Sequence, residues 1–143
     1  MSTGTIYQDW TGVTVTPQGG SAIPIPDITD VLVDATSVKE VFAGDLASLP
    51  QLIRTPAKTR KLRITGSAVG TLFAIPEDTP CSIVATLQSL GQGTGTGALT
   101  FTLVNAIRTQ FQASGKANTP ASSFVEFEAY SAAGTDPLTM GVA

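Results

Sequence analysis

Apolar and polar residues alternate along most of this chain with the two-residue period that is typical of β-strands. The alternation is clearest at residues 81–90 and 98–107, on either side of the glycine-rich segment 91–97. The apolar side chains of these two segments are expected to oppose each other: Ile83, Ala85 and Leu87 face Leu99, Phe101 and Leu103. The pattern predicts a long antiparallel hairpin whose polar residues share the other face.

Further alternating runs predict more strands between glycine- and proline-containing turns, at roughly ten-residue spacing. These strands lie at residues 5–16, 28–34, 37–43, 60–66, 108–117, 122–131 and 138–143. A turn at Ala35 and Thr36 separates the second strand from the third, and another turn lies around residues 118–120. The predicted fold class is all-β (mainly β): an antiparallel β-sandwich or barrel that forms one domain, residues 1–143.

One short helix is predicted at residues 67–75, where the two-residue period stops. Ser67 is a candidate N-cap, and Pro76 follows the expected end of the helix. A helix across an open end of the barrel would bury Val69, Leu72 and Phe73. The sequence therefore adds a single flanking helix to the all-β fold.

Residues 44–59 break the strand pattern and predict a long loop between strands, because Pro50 and Pro56 interrupt any long helix. Loops longer than about 12–15 residues in compact domains are usually functional or disordered. The large aliphatic residues argue against disorder: Leu46, Leu49, Leu52 and Ile53. These side chains are expected either to pack against another subunit or to fold back over an open barrel end.

Five of the eight basic residues lie within ten positions: Arg54, Lys58, Arg60, Lys61 and Arg63. One interpretation is a contact patch for acidic residues of another copy, namely Asp27, Asp30 and Asp34. The alternative is a solvated strand face. Binding of nucleic acid is the less favoured explanation, since aromatic residues do not alternate with these cations.

Composition argues against most catalytic and metal chemistry. The 143 residues include no histidine and one cysteine, Cys81, so the sequence offers neither a Ser-His-Asp triad nor a histidine-based metal site. The glycine-rich segment 91–97 joins two strands and is not followed by Lys-Ser/Thr, so it is not a phosphate-binding loop. No cofactor, metal or catalytic residue is expected.

Charge and hydropathy restrict the partners and the location. The formal net charge of −3 is unsuited to tight binding of nucleic acid phosphates. The first ten residues lack a basic segment followed by an apolar one, and no run approaches the eighteen apolar residues of a membrane helix. We expect a chain that is made in a cytoplasm and has no membrane anchor.

Four segments, TRKLRITG at 59–66, IPEDTPCSIVATL at 75–87, ALTFTLVNAI at 98–107 and FEAYSAAGTDPLTMGVA at 127–143, resemble the tail tube (major tail) proteins of tailed bacteriophages. The resemblance covers residues 25–143 and consists of strand and turn patterns. It implies a β-sandwich or barrel with one helix that assembles into six-membered rings, stacked into a hollow tube through which DNA passes. It implies a virion tail protein, made in the cytoplasm of the host bacterium, whose partners include tape-measure, terminator and baseplate proteins.

The resemblance also implies which segments make contacts. The long loop at 44–59 and an N-terminal arm at about 1–8 would tie successive rings together. The polar face of the long hairpin would line the channel, where a modestly acidic chain lets DNA slide without specific binding. The candidate channel residues are Thr86, Gln88, Thr100, Thr102 and Asn105.

Two other functions stay open on the sequence alone. The chain is either another β-sandwich protein of the virion, such as a tail terminator, baseplate or head-decoration protein, or a ligand-binding β-sandwich. Copy number per particle separates the first from a tube subunit. The second is weakly supported, because its binding sites usually expose aromatic platforms and Tyr7, Trp10 and Tyr130 are few and scattered.

Overall fold

Eight antiparallel strands and one short helix make up the part of the chain that the computed structural model describes, residues 7–42, 52–89, 98–131 and 134–142. This confirms the all-β fold class. The elements, in chain order, are β1 (Tyr7–Pro17), β2 (Ile23–Pro24), β3 (Ile28–Phe42), β4 (Leu52–Gly66), α1 (Val69–Phe73), β5 (Cys81–Ser89), β6 (Leu99–Lys116), β7 (Thr119–Ala129) and β8 (Leu138–Val142).

The strands form one continuous path in the order β2-β1-β5-β6-β7-β4-β3, and β8 adds to β6 beside this path. The two parts of the path, β1 with β5 and β4 with β7, send their inward side chains into one cluster. Its largest fully buried members are Phe127, Leu62, Ile64, Leu72, Ile75, Ile83, Leu103, Val15, Val125 and Cys81. Each such aliphatic or aromatic side chain contributes roughly 1.5–3 kcal/mol by leaving water.

Strand β6 belongs to both parts of the sheet. Its first residues, Leu99–Leu103, pair with β5 on one side and with β8 on the other. From Ala106 onward β6 pairs with β7, and Ala106 is also the last residue that pairs with β5. The change occurs at Asn105, whose φ of 55° is left-handed and marks a bulge in the pairing with β5. The Asn105 carbonyl accepts a hydrogen bond from the Tyr130 N–H (3.2 Å), and the Val104 N–H donates to the Pro137 carbonyl (3.0 Å). The bulge therefore redirects the strand while the Val104 N–H and the Asn105 carbonyl stay hydrogen-bonded.

The long hairpin predicted from the sequence is confirmed in its register. Ile83 lies opposite Leu103, Ala85 opposite Phe101 and Leu87 opposite Leu99. Ile83, Ala85 and Leu103 are fully buried. Local alternation of apolar residues was sufficient to predict this register, because each strand has one face on the core.

The predicted turn at Ala35 and Thr36 and the predicted loop at 44–59 were wrong where the structure describes them. Strand β3 runs without interruption through Ala35, and residues 52–59 belong to β4 and pair with β3. Val38 pairs with Ala57 and Glu40 with Arg54, so β4 has one more residue than β3 in this interval and forms a bulge. Pro56 lies in this bulge, where its missing N–H is tolerated. Residues 44–51 lie outside the described part.

The N-terminal arm and the helix also differ from expectation. Tyr7 and Gln8 pair with β5, so the expected arm at 1–8 is shorter, and residues 1–6 lie outside the description. Helix α1 spans only Val69–Phe73, and its N-cap is Ala68 without a side-chain hydrogen bond, in place of Ser67. Leu72 is buried as predicted, whereas Phe73 is 59% exposed, because a helix of this length directs one face only to the core.

Replacing Asn105 tests the bulge of β6. Asn105→Val is expected to lower the free energy of unfolding by about 1–2 kcal/mol, because a β-branched residue is strained at positive φ. Asn105→Gly tolerates the same backbone and should change the stability by less than about 0.5 kcal/mol. Urea denaturation followed by circular dichroism measures both. Equal losses in the two variants would contradict a conformational role.

Candidate assembly surfaces

The outward face of β1, β5, β6 and β8 carries short hydroxyl side chains; we call it the hydroxyl face. Cross-strand partners share a face, and the register places seven hydroxyl residues on this one: Thr14, Thr16, Ser82, Thr86, Thr100, Thr102 and Thr139. Thr86 Oγ1 and Thr100 Oγ1 lie 3.4 Å apart. The positions of these four strands that pair with the hydroxyl residues carry no charge, since the other residues there are Val84, Gly12 and Gly141.

Four of the five candidate channel residues lie together on the hydroxyl face. Thr86, Gln88, Thr100 and Thr102 occupy successive outward positions of β5 and β6. Asn105 is the exception, because it is the extra residue of the bulge and follows neither face. That this face lines a channel stays a prediction.

The basic cluster of β4 divides between the two faces of its strand. Arg60 points to the same side as Leu62, and its Nε and Nη2 each donate to the Asp136 carboxylate at 3.0 Å. The hydrogen bond to Asp136 raises the pKa of the Arg60 guanidinium, partly opposed by desolvation. Asp136 Oδ1 also accepts the Leu138 N–H (3.0 Å), so Arg60 attaches the beginning of β8 to β4.

Lys61 and Arg63 lie on the outward face of β3, β4 and β7, which we call the charged face. Arg63 Nη2 donates to Glu126 Oε2 at 2.9 Å, and the guanidinium stacks 4.4 Å from the centre of the Phe124 ring. In the register Lys61 lies between Asp34 of β3 and Glu128 of β7. Lys61 thus has an acidic neighbour on each side, whereas Arg63 lies between Leu32 of β3 and Glu126 of β7.

The acids expected from another copy lie close to these cations within one chain. Asp30 and Asp34 are on β3, beside the basic row, and Asp27 precedes β3 with a positive φ of 54°. Leu52, Ile53, Arg54 and Lys58 are backbone partners of β3 in the outer part of the hairpin. Leu46 and Leu49 lie outside the described residues. A role of this set between copies stays a prediction.

Sequence reasoning missed the buried Arg108, which it placed in a polar strand. The residue is 9% exposed; its Nη1 donates to the Phe73 carbonyl and its Nη2 to Glu77 Oε1, both at 2.9 Å. Arg108 thus holds the last residue of α1 and the segment that follows it. A signal existed in the period of two, because Ala106 faces inward and Arg108 is the next inward position.

A groove of about 380 Å³ lies beside α1, and we call it the helix groove. Phe73 and Phe111 meet there edge to face with their ring centres 5.2 Å apart. Glu77 and Asp78 are exposed on the same groove, and Ile107 and Arg108 complete it. The groove thus combines aromatic and acidic groups.

The remaining chemistry of the described residues offers little reactivity. Cys81 is buried, and burial raises the pKa of its thiol, which keeps the thiol protonated near neutral pH. Across residues 7–42, 52–89, 98–131 and 134–142, no three His, Cys, Asp or Glu side chains group as a metal site would require. The helix in these ranges is too short to cross a membrane.

Known structures share this fold. A chain in the six-fold symmetrised cryo-EM structure of the anti-feeding prophage baseplate matches with a TM-score of 0.66 and 13% identity, over 99% of this chain and 97% of that one. A chain in the PVC sheath–tube complex of an extracellular contractile injection system, in the extended state, has a TM-score of 0.55 and 14% identity, over 92% and 88% of the two chains.

A third structure, the sheath/tube terminator of the PVC system, matches with a TM-score of 0.55 and 15% identity, over 90% of this chain and 92% of that chain. No protein-family model matches the sequence, and comparison with curated protein sequences finds no match. At these identities the likeness concerns the fold: the chain shares its architecture with chains of contractile injection systems.

Arg108→Met is expected to lower the free energy of unfolding by about 2–4 kcal/mol. The variant loses two charge-assisted hydrogen bonds, one to the last residue of α1 and one to Glu77 in the segment after it. Glu77→Gln is the matched control: it keeps a hydrogen-bond acceptor at a solvent-exposed position and should cost less than about 1 kcal/mol. Urea denaturation compares the two. A loss in Glu77→Gln as large as in Arg108→Met would assign the effect to the ion pair instead of the buried guanidinium.

Proposed function

We propose that this protein is a non-enzymatic, self-assembling subunit of a phage-like tail tube, in which six copies form a ring and rings stack into a hollow tube. The observation that carries the proposal is the fold match over nearly the whole length of both chains with a chain in a six-fold symmetrised baseplate. The match with a chain in a sheath–tube complex supports the tube role.

The open edge formed by β3 supports self-association. This strand has fifteen residues and pairs with β4 on one side, and no strand among the described residues pairs with its other side. Long exposed edges are sites of pairing with another chain unless they are covered. A ring or stack of copies provides such cover.

The hydroxyl face is the proposed channel surface. Its paired positions are uncharged, so a polyanion such as DNA would find neither the cations that hold phosphates nor a large apolar patch. DNA would therefore pass without specific binding. The charged face and the outer β3–β4 hairpin would then remain for contacts between copies and with other tail proteins.

The proposed contacts between rings keep the residues named from the sequence. They are four aliphatic, five basic and three acidic residues: Leu46, Leu49, Leu52, Ile53, Arg54, Lys58, Arg60, Lys61, Arg63, Asp27, Asp30 and Asp34. The proposed partners are tape-measure, terminator and baseplate proteins, and the proposed location is the tail of a particle made in a bacterial cytoplasm.

A baseplate or terminator protein is the second candidate. Two of the matching chains belong to the structures of a baseplate and of a sheath/tube terminator, and these complexes favour the second candidate. Copy number separates the candidates, because a tube subunit is present in many tens of copies per particle. Quantitative mass spectrometry of purified particles measures it.

Electron microscopy of the purified protein tests the proposal directly. Negative staining over a range of concentrations, with mass photometry of the same samples, is expected to show rings of six and hollow tubes wide enough for duplex DNA. A monomer at every concentration, also after addition of a baseplate extract as initiator, would overturn the proposal of a tube.

Deleting residues 44–51 and joining β3 to β4 with a short Asn-Gly turn tests the hairpin. We expect a folded β protein that no longer forms tubes, because the strands stay paired while the apolar end of the hairpin is lost. Replacing 91–97, which lie between β5 and β6 in the sequence, with Asn-Gly is the control and should preserve assembly. Tubes from the first variant would contradict the assigned role.

Adding cations to the hydroxyl face tests the channel. Tubes of Thr86→Lys/Thr100→Lys should retain labelled duplex DNA at about 50 mM salt and release it near about 200 mM, because lysines displace counterions from phosphates. Thr65→Lys on the charged face is the control. Retention by the control, or none by the double variant in intact tubes, would place the channel elsewhere.

A further inference from the structure

The hairpin of β6 and β7 extends beyond the core as a two-stranded ribbon. Every residue from 112 to 122 is exposed, whereas Phe111 is half-buried and Ser123 is buried at its base. Ser114 pairs with Ser122 and Lys116 with Thr119, and Asn118 makes the turn with a φ of 61°. At about 3.3 Å per residue the ribbon reaches roughly 17 Å from its base.

A ribbon with solvent on both faces has little to stabilise it. An isolated two-stranded hairpin is at best marginally stable in water, and three or more strands or a packing partner are needed. Residues 112–122 are small or polar, and Lys116 is the single charged residue among them. The ribbon therefore carries one positive charge at its tip and no apolar face of its own.

The helix groove has the complementary charge. Glu77 is engaged by Arg108, so these two charges compensate each other. Asp78 forms no ion pair within the described residues, which leaves the groove with a net negative charge. The ring of Phe73 is 59% exposed at the same place and can stack with a cation.

A chain cannot fill its own groove with its own ribbon. Residues 107–111 of β6 line the groove, and the same strand continues outward into the ribbon. Lys116 is therefore carried away from Asp78 of its own chain. Two different surfaces of one chain that complement each other make a head-to-tail contact, which closes a ring or continues as a helical stack.

We propose that the ribbon of one copy docks in the helix groove of a neighbouring copy, with the Lys116 ammonium facing Asp78 and the Phe73 ring. The docked copy supplies the packing that the ribbon lacks. This inference rests on the proposed self-assembly and assigns to it a contact that involves neither the β3–β4 hairpin nor the hydroxyl face.

Charge reversal tests the docking. Lys116→Glu and Asp78→Lys should each raise the critical concentration for assembly at least tenfold, measured by sedimentation and electron microscopy. The double variant Lys116→Glu/Asp78→Lys should return to within threefold of wild type. Lys116→Glu combined with Gln18→Lys, in the exposed turn after β1 and outside the groove, the hydroxyl face and the charged face, is the control and should stay defective.

Mixing the two single variants gives a sharper result. An equimolar mixture should assemble, because the acidic ribbon of the Lys116→Glu variant meets the basic groove of the Asp78→Lys variant, and the remaining ribbons and grooves are of the native kind. Neither variant alone should do so at that concentration. Circular dichroism and thermal melting establish that each variant is folded.

Cross-linking covers the case in which a reversed charge disturbs folding. A variant that carries both Lys116→Cys and Asp78→Cys should form a ladder of disulfide-linked oligomers on oxidation. A variant with only one of the two substitutions should form dimers at most. The native Cys81 is buried and should not cross-link. The docking alone is overturned if the wild-type protein forms tubes, the single charge variants assemble at the same critical concentration, and no cross-linked ladder appears. A wild-type protein that never assembles overturns the proposed function and the docking together.

Discussion

The continuity of β6 through both parts of the sheet is the constraint on which the rest of the structure depends. One strand of eighteen residues pairs with β8 before Asn105, with β7 after it, and with β5 up to Ala106. The left-handed residue lies at the change of neighbour, where the Val104 N–H and the Asn105 carbonyl are both hydrogen-bonded. Ala106, fully buried, pairs with both Cys81 and Ala129 at this junction.

The two buried or half-buried arginines extend that constraint to the periphery. Arg108 on β6 fixes the end of α1, and Arg60 on β4 fixes the approach to β8 through Asp136. A guanidinium satisfies several acceptors in a rigid plane, so each arginine holds backbone carbonyls and a carboxylate together. The helix, which buries Leu72 in the core, and the last strand, whose Leu138 packs against the core, are thus also held by hydrogen bonds from arginines of the sheet.

The outward surfaces of the sheet differ in charge and in packing. The hydroxyl face is neutral, the charged face alternates in sign between neighbouring strands, and the ribbon at 112–122 has solvent on both sides. Neutral surfaces bind polyions weakly, whereas charge patterns and unsupported hairpins select partners.

The sequence by itself determined the fold class, the start of β3 at Ile28 and the register of β5 with β6, because each follows from local alternation against a core. Only the tertiary structure decided that β3 continues through Ala35, that Pro56 sits at a bulge, and that Arg108 is buried beneath α1. It also decided that Arg60 pairs with Asp136, 76 positions away. Such contacts join residues whose separation leaves no period in the chain, and they form only once the strand order brings them together.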